Sequence, residues 1–167
     1  YYDEDPRPGR YKSPDWYAVL DVPYLYGGHD IRRSYVMGDE RVTPFIVAEF
    51  LSPSTEREDL GQTTRRRPDD PPTKWEVYER ILGVPHYVIF CRRTDKFKAF
   101  RLAGGRYREV VLPGKRLWIP EIGLGLGLWK GTWQGLNRQW LRWYDKKGWI
   151  PYLAEQERDR ADQERHR

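Results

Sequence analysis

A carboxylate stands at the end of an apolar run that would normally continue with Val or Leu. Residues 45–48 read Phe-Ile-Val-Ala, and Glu49 follows them directly. Such a run predicts a buried strand over residues 44–51. A charge buried without a partner is strongly unfavourable, so the fold must bring a cation to Glu49. We expect a metal ion as that partner, and a buried salt bridge is the alternative.

The composition is that of a globular chain with an aromatic core. The chain has 167 residues, of which 38% are apolar and 15% are aromatic. Aromatic side chains bury a large area each, so we expect one main domain over residues 1–152. Residues 153–167 hold five acids and four Arg. They predict a charged helical tail, with Ala154 and Ala161 spaced as at the start of a coiled coil.

Several classes of protein are disfavoured by the sequence. No apolar run is long enough to span a membrane, and the first residues do not resemble a signal peptide, so we expect a cytoplasmic protein. Cys91 is the single cysteine and cannot form an internal disulfide. We expect it to be a buried thiol. The net charge of +5 is compatible with a polyanionic partner.

Short strands and one helix are predicted in the first two thirds of the chain. Aromatic and aliphatic residues at 15–20, 33–37 and 87–90 predict strands. Apolar residues on one helical face predict a helix that begins at the N-cap Thr73 and stops at Gly83. A helix between two buried strands indicates a strand–helix–strand crossover.

The last third is rich in glycine and tryptophan. Ala-Gly-Gly at 103–105 lies between two strand-like runs and predicts a hairpin. The alternation of Gly and Leu over 123–128 predicts a strand with close backbone packing and does not fit a phosphate-binding loop. Trp129, Trp133, Trp140 and Trp143 could stack on bases. The last two are spaced as in a helix, so we expect core or interface packing, and the exposed aromatics with the charged tail predict a homodimer.

Three polar residues form a candidate site: Asp15, Glu49 and Lys74. Two carboxylates and a lysine suit metal-assisted hydrolysis of a phosphodiester bond. Oxygen ligands are those that Mg²⁺ and Mn²⁺ prefer. The metal acidifies water and neutralises the phosphate, while a lysine orients the water or stabilises the developing oxyanion.

Four motifs in a fixed order resemble a known family. They are Glu-Phe-Leu-Ser-Pro-Ser-Thr at 49–55, Asp-Leu-Gly at 59–61, Lys-Trp-Glu-Val-Tyr-Glu at 74–79 and Gly-Val-Pro-His-Tyr at 83–87. The order resembles a restriction-endonuclease family abundant in cyanobacteria, formerly a domain of unknown function, in the PD-(D/E)xK nuclease superfamily. The resemblance covers residues 13–151. It implies an α/β fold with a mixed central sheet flanked by helices, extra C-terminal β-hairpins and a charged C-terminal helix.

The resemblance also implies residue roles. Asp15 matches the Asp of the "PD" motif and Glu49 the following acid, so the two would hold Mg²⁺ or Mn²⁺. The motif lysine, two residues after Glu49, is replaced by Leu51, and Lys74 would position the attacking water instead. The implied function is hydrolysis of DNA by an endonuclease. Because of Leu51, the alternative is an inactive nuclease fold that binds nucleic acid or a protein.

Two further charged features have open interpretations. Asp59 is either a helix cap or an outer-shell metal ligand. Three consecutive Arg at 65–67 could contact phosphates. Because Asp69 and Asp70 follow them, we expect a solvated loop there.

Overall fold

The apolar runs of the first part of the chain pair as a five-stranded mixed sheet. The computed structural model describes residues 12–31, 35 and 41–165. The strands are β1 (Trp16–Ala18), β2 (Ile46–Phe50), β3 (His86–Cys91), β4 (Lys96–Ala103) and β5 (Arg106–Glu109). They lie side by side in chain order. Only β2 and β3 run parallel, which confirms the predicted crossover, and the other pairs are antiparallel.

The connection from β2 to β3 carries the helices. It contains α1 (Glu56–Asp59) and α2 (Lys74–Glu76), which continues as a π-helical turn over Val77–Ile81. The Thr73 hydroxyl accepts from the Glu76 amide at 3.2 Å, and the Glu76 carboxylate accepts from the Thr73 amide at 2.9 Å. This capping box confirms the predicted helix start. The strand predicted over 33–37 lies outside the described residues apart from its central tyrosine.

The core of this unit fills the space between the helices and one face of the sheet. Its buried members are Val47, Leu51, Val77, Tyr78, Val84, Tyr87, Ile89, Cys91, Phe100 and Tyr107. The ring of Trp75 meets Tyr87 and Phe100 edge-on, with centroids 5.4 and 5.0 Å apart. It also lies 2.6 Å from where a Cβ at Gly61 would be, and Gly61 has φ +68°. Only glycine fits there, so the loop after α1 is held close to α2.

A second compact unit begins at Leu112, and the first ends at Val111. It contains a short 3₁₀ turn (Pro113–Lys115) and an antiparallel sheet in the order β6–β7–β8–β9. The strands are β6 (Arg116–Ile119), β7 (Leu124–Trp133), β8 (Leu136–Asp145) and β9 (Gly148–Trp149), and the helix α3 (Leu153–Arg165) follows them. The predicted charged helix is therefore present. Its independence as a tail beyond residue 152 stays a prediction.

The sequence-based interpretation of the tryptophans was wrong in one respect. Trp140 and Trp143 do not lie on a helix; both are on β8. Being three residues apart on a strand, they point to opposite faces of the sheet. Their spacing fits either a helical face or two sides of a strand, and the Gly-rich partner β7 selects the strand.

Alternating Gly and Leu on β7 divide the second sheet into two different faces. Leu126 and Leu128 are buried on one face. On the other face, aromatic rings lie against the glycine backbone. Atoms of the Tyr144 ring come within 2.1 Å of an ideal Cβ built on Gly125, and the Trp129 ring is equally close to one on Gly131. The predicted strand with close backbone packing is confirmed.

Arg142 joins the start of α3 to this sheet. Its guanidinium lies 4.3 Å from the ring centroids of both Trp129 and Tyr152. It donates to the Ile150 carbonyl at 2.9 Å and pairs with both carboxylate oxygens of Glu155. A buried arginine is thus paired and stacked, as its desolvation requires. In the described ranges, no helix has the length and apolar character needed to cross a membrane.

Replacing Gly125 by Ala should destabilise the second unit because the new methyl group collides with the Tyr144 ring. We expect a loss of about 1–3 kcal/mol in the free energy of unfolding, measured by urea denaturation. In a Tyr144→Leu background the same change should cost clearly less, since the ring is gone. Equal losses in both backgrounds would show that Gly125 is needed for another reason.

Candidate active site

Glu49 lies on β2 and is completely buried, as its apolar surroundings predict. Its Oε2 accepts from the Lys74 ammonium at 2.9 Å. Its Oε1 accepts from the Tyr78 hydroxyl, also at 2.9 Å. The cation that the sequence demanded for Glu49 is therefore a lysine in the described structure, and the carboxylate is held from both sides.

Lys74 is the first residue of α2 and connects two acids. Its Nζ lies 2.9 Å from Glu49 Oε2 and 2.9 Å from Asp59 Oδ1. A positive charge at a helix N-terminus is unfavourable, and the two carboxylates offset this. The capping box fixes where the helix begins, which aims the lysine stem at β2.

Asp59 ends α1 and points into the site. It is completely buried, and its Oδ2 has no hydrogen-bond partner among the described residues. Its backbone carbonyl accepts from the Tyr87 hydroxyl at 2.8 Å. The prediction that Asp59 is a helix cap is wrong, because Asp59 is the last residue of its helix and its Oδ1 accepts a hydrogen bond from the Lys74 ammonium. A role as an outer-shell ligand stays a prediction.

Asp15 stands immediately before β1 and is exposed. Its Oδ2 accepts from the amide of Phe50, the residue after Glu49, at 2.7 Å. The antiparallel register pairs Trp16 with Ala48, which places Asp15 beside Glu49 across the two strands. The structure thus brings Glu49 and Lys74 into direct contact and places Asp15 beside the end of β2, where it bonds to Phe50.

Tyr78 was not recognised from the sequence as a site residue, because it also fits the apolar face of the helix. It lies four residues after Lys74, and such a pair shares one helix face. Burial raises the pKa of the Tyr78 hydroxyl far above its usual value, and the charges of Glu49, Asp59 and Asp15 raise it further. The phenol therefore stays neutral and donates a hydrogen bond to Glu49. The signal in the sequence was the four-residue spacing between a lysine and a hydroxyl.

Burial and pairing act in opposite directions on the site's titratable groups. Burial raises the pKa of Glu49 to about 7, although the bonds from Lys74 and Tyr78 lower it. Burial lowers the pKa of Lys74, but the bonds to Asp59 and Glu49 outweigh it and the net direction is upward. Lys74 is therefore charged at neutral pH and serves as a hydrogen-bond donor, not as a base.

The acids of the site outnumber its lysines. Glu58 accepts from Lys12 Nζ at 2.6 Å and from the Lys74 amide at 3.2 Å, so it joins the same cluster. Together with Glu49 and Asp59, and with Asp15 nearby, the site holds four carboxyl groups and two ammonium groups. The surplus of acids and the unpartnered Oδ2 of Asp59 fit a divalent cation.

The donor set is nevertheless not a preformed cage. No group of three or more His, Cys, Asp and Glu within the described ranges is arranged to hold a metal ion. Mg²⁺ is commonly bound through one or two carboxylates, with waters and substrate phosphates completing its shell. Asp15 and Glu49 can supply such a partial set.

The arginines at 65–67 lie in an exposed loop, as predicted. Arg65 pairs with Glu76 at 3.1 Å, and the amides of Arg66 and Arg67 donate to Asp70 at 3.0 and 2.9 Å. Asp70, which follows the arginine run, therefore folds back on it. This run is thus part of the loop's own structure.

The buried Glu49 should make stability depend on pH. Its pKa is raised from 4.5 to about 7, so its contribution is fully present below pH 4.5 and is lost as the pH rises through 7. In EDTA, the free energy of unfolding of the wild type relative to Glu49→Gln should fall between these values, by roughly 1 kcal/mol per pH unit. A pH-independent difference between the two proteins would contradict a raised pKa.

Asp59 and Lys74 should be energetically coupled. In a double-mutant cycle of Asp59→Asn and Lys74→Met, we expect a coupling of about 1–3 kcal/mol in the free energy of unfolding, because the two groups are in contact, Asp59 is buried and the Lys74 side chain is only 14% exposed. The more exposed pair of Lys96 and Glu56 is the control, and it should couple by less than about 1 kcal/mol. Equal coupling in the two pairs would show that burial adds nothing at the site.

Comparison with known proteins identifies the family. No curated protein and no solved structure matches the chain. The sequence matches the family Uma2, described as "Putative restriction endonuclease", over residues 4–137, which is more than half of the chain. The matched region contains Asp15, Glu49, Asp59 and Lys74, and the described fold has the mixed sheet expected of a restriction-endonuclease-like protein. The chain therefore belongs to the Uma2 family of putative restriction endonucleases.

Proposed function

We propose that this protein is a divalent-metal-dependent endonuclease that hydrolyses phosphodiester bonds of DNA. The observation that carries the proposal is the contact of a charged lysine with a completely buried carboxylate, in a chain of a restriction-endonuclease family. A nuclease needs acids for a metal and a cation for the developing negative charge. The cluster offers both within hydrogen-bonding distance.

Asp15 and Glu49 are the residues that would hold Mg²⁺ or Mn²⁺. Restriction-endonuclease-like families generally use divalent metals. When bound, the ion would supply positive charge against the phosphate and make water a better nucleophile. Tyr78 fixes the orientation of Glu49 by donating to Oε1, so that Oε2 faces Lys74. The exposed Asp15 gives this buried set an oxygen ligand at the surface.

Lys74 would act by charge and position. Its ammonium cannot take a proton from water, but it can orient water and stabilise the oxyanion that forms on the phosphate. Asp59 holds the ammonium against Glu49 from the other side, at the same distance. Leu51, which follows β2 directly, is buried in the core. The lysine missing at that position would be replaced by Lys74 at the start of the capped helix α2.

The alternative is a nuclease fold that binds nucleic acid or a protein without cleaving. Two observations favour it. The Lys74 ammonium is already paired with two carboxylates, and Leu51, at the position of the motif lysine, is buried. The homodimer and the cytoplasmic location both stay predictions from the sequence. Sedimentation of the purified chain tests whether it is a homodimer.

The proposal is tested by cleavage of plasmid and linear DNA with Mg²⁺ or Mn²⁺, alongside calorimetric titration of each metal. Asp15→Asn and Glu49→Gln should lose metal binding and cleavage together. Lys74→Met should reduce cleavage by about 100-fold or more yet keep metal binding, because it acts on the developing charge. The separation of the two readouts assigns the roles.

Lys98→Met is the matched control. Lys98 forms an ion pair with Glu109 on the same sheet, at 2.9 Å, and its loss should leave cleavage unchanged. Wild-type protein that binds neither metal and cuts no form of DNA would refute the nuclease and favour the binding alternative. A Lys74→Met protein that cleaves normally would remove the lysine from the mechanism.

A further inference from the structure

One face of the second sheet carries a row of aromatic side chains that spans all four strands. The register aligns Trp118 of β6, Gly125 of β7, Tyr144 of β8 and Trp149 of β9. The Tyr144 ring lies 5.9 Å from that of Trp118 and 5.4 Å from that of Trp149. Because Gly125 has no side chain, the Tyr144 ring lies against its backbone, and the three rings form one continuous surface.

An arginine lies on top of this row. The guanidinium of Arg116 is 5.2 Å from the Tyr144 centroid and 4.6 Å from that of Trp149. Arg116 is exposed and the three rings are half-buried. We name Arg116, Trp118, Tyr144 and Trp149 the arginine–aromatic patch.

Another part of the same face is covered by the chain itself. Tyr152 packs on Trp133, with centroids 4.4 Å apart, and also on Arg142, whose charge Glu155 neutralises. Arg142 is buried, whereas Arg116 is exposed. The guanidinium of Arg116 is thus on the open part of this face and is available to a ligand.

The charge around the patch is positive. Residues 112–152 contain seven Lys and Arg against two acids. Exposed lysines flank the patch at Lys115 and in the turn between β8 and β9, at Lys146 and Lys147. Asp145, an acid of that turn, accepts hydrogen bonds from the amides of Lys147 and Gly148. The surroundings therefore suit a polyanion.

We propose that the arginine–aromatic patch binds single-stranded DNA. Unpaired bases stack on aromatic rings and on guanidinium planes, while flanking lysines contact the phosphates. Duplex DNA hides its base faces and cannot use such a surface. DNA is the polyanion expected for a chain of a restriction-endonuclease family. The inference goes beyond the cleavage site, since it requires only binding by the second sheet.

The test is fluorescence anisotropy of a labelled oligo-dT of about 15 nucleotides, titrated with the full chain in EDTA so that cleavage cannot interfere. Arg116→Gln should weaken binding about tenfold, because it removes both a stacking surface and a charge. Trp149→Leu should have a similar effect, with circular dichroism to confirm folding. A duplex of the same length should bind more weakly than the oligo-dT.

Lys130→Gln is the matched control for charge. Lys130 is exposed on β7 and lies on the opposite face, since it alternates with Gly127, Trp129 and Gly131. This variant also loses one positive charge but should change binding by less than about twofold. Equal weakening by Arg116→Gln and Lys130→Gln would overturn the patch and indicate attraction by net charge alone.

Three other results would overturn the proposal: no binding of oligo-dT, tighter binding of the duplex, or tighter binding of oligo-rU than of oligo-dT. None of them bears on the nuclease, which is judged by cleavage with metal. Conversely, a chain that cleaves nothing but binds oligo-dT through Arg116 would refute the nuclease and leave the patch in place.

Discussion

The burial of Glu49 is the constraint on which the first unit depends. A carboxylate within a buried strand is tolerated only where hydrogen bonds and an opposite charge replace water. Lys74 and Tyr78 supply these from one helix face, at 2.9 Å each. The helix must therefore begin at a fixed position along β2, and the capping box of Thr73 sets that position. The ion pair at Glu49 thus depends on how the crossover between β2 and β3 places this helix.

The same contacts decide what chemistry the site can perform. Two buried acids hold Lys74 in its charged form, so this lysine contributes charge and not basicity. Burial pushes the pKa of Glu49 upward, to about 7, which makes the carboxylate receptive to a further cation. Acids, a charged lysine and a neutral phenol are the components that the proposed nuclease would use for a metal and a phosphate.

The sequence predicted those features that depend on neighbouring residues in the chain. Glu49 was identified because its neighbours are apolar, and the helix start because Thr73 precedes a helical pattern. Asp59 could not be placed, since a charged residue on a short helix gives no sign of facing inward; the loop closed by Gly61 and Trp75 turns it toward Lys74. Tyr78 was hidden because a tyrosine on an apolar face fits a core equally well. Trp140 and Trp143 were misassigned because a three-residue spacing fits both a helix and a two-sided strand.

The two units treat arginine and lysine by one physical rule with different results. Where a cation is enclosed, as at Lys74 and Arg142, carboxylates meet it at hydrogen-bonding distance. Where a cation is stacked but open, as at Arg116, rings hold its plane and no described carboxylate pairs with it. Stacking without neutralisation keeps the charge available to solvent. That difference separates residues that hold the fold together from residues that can meet a polyanion.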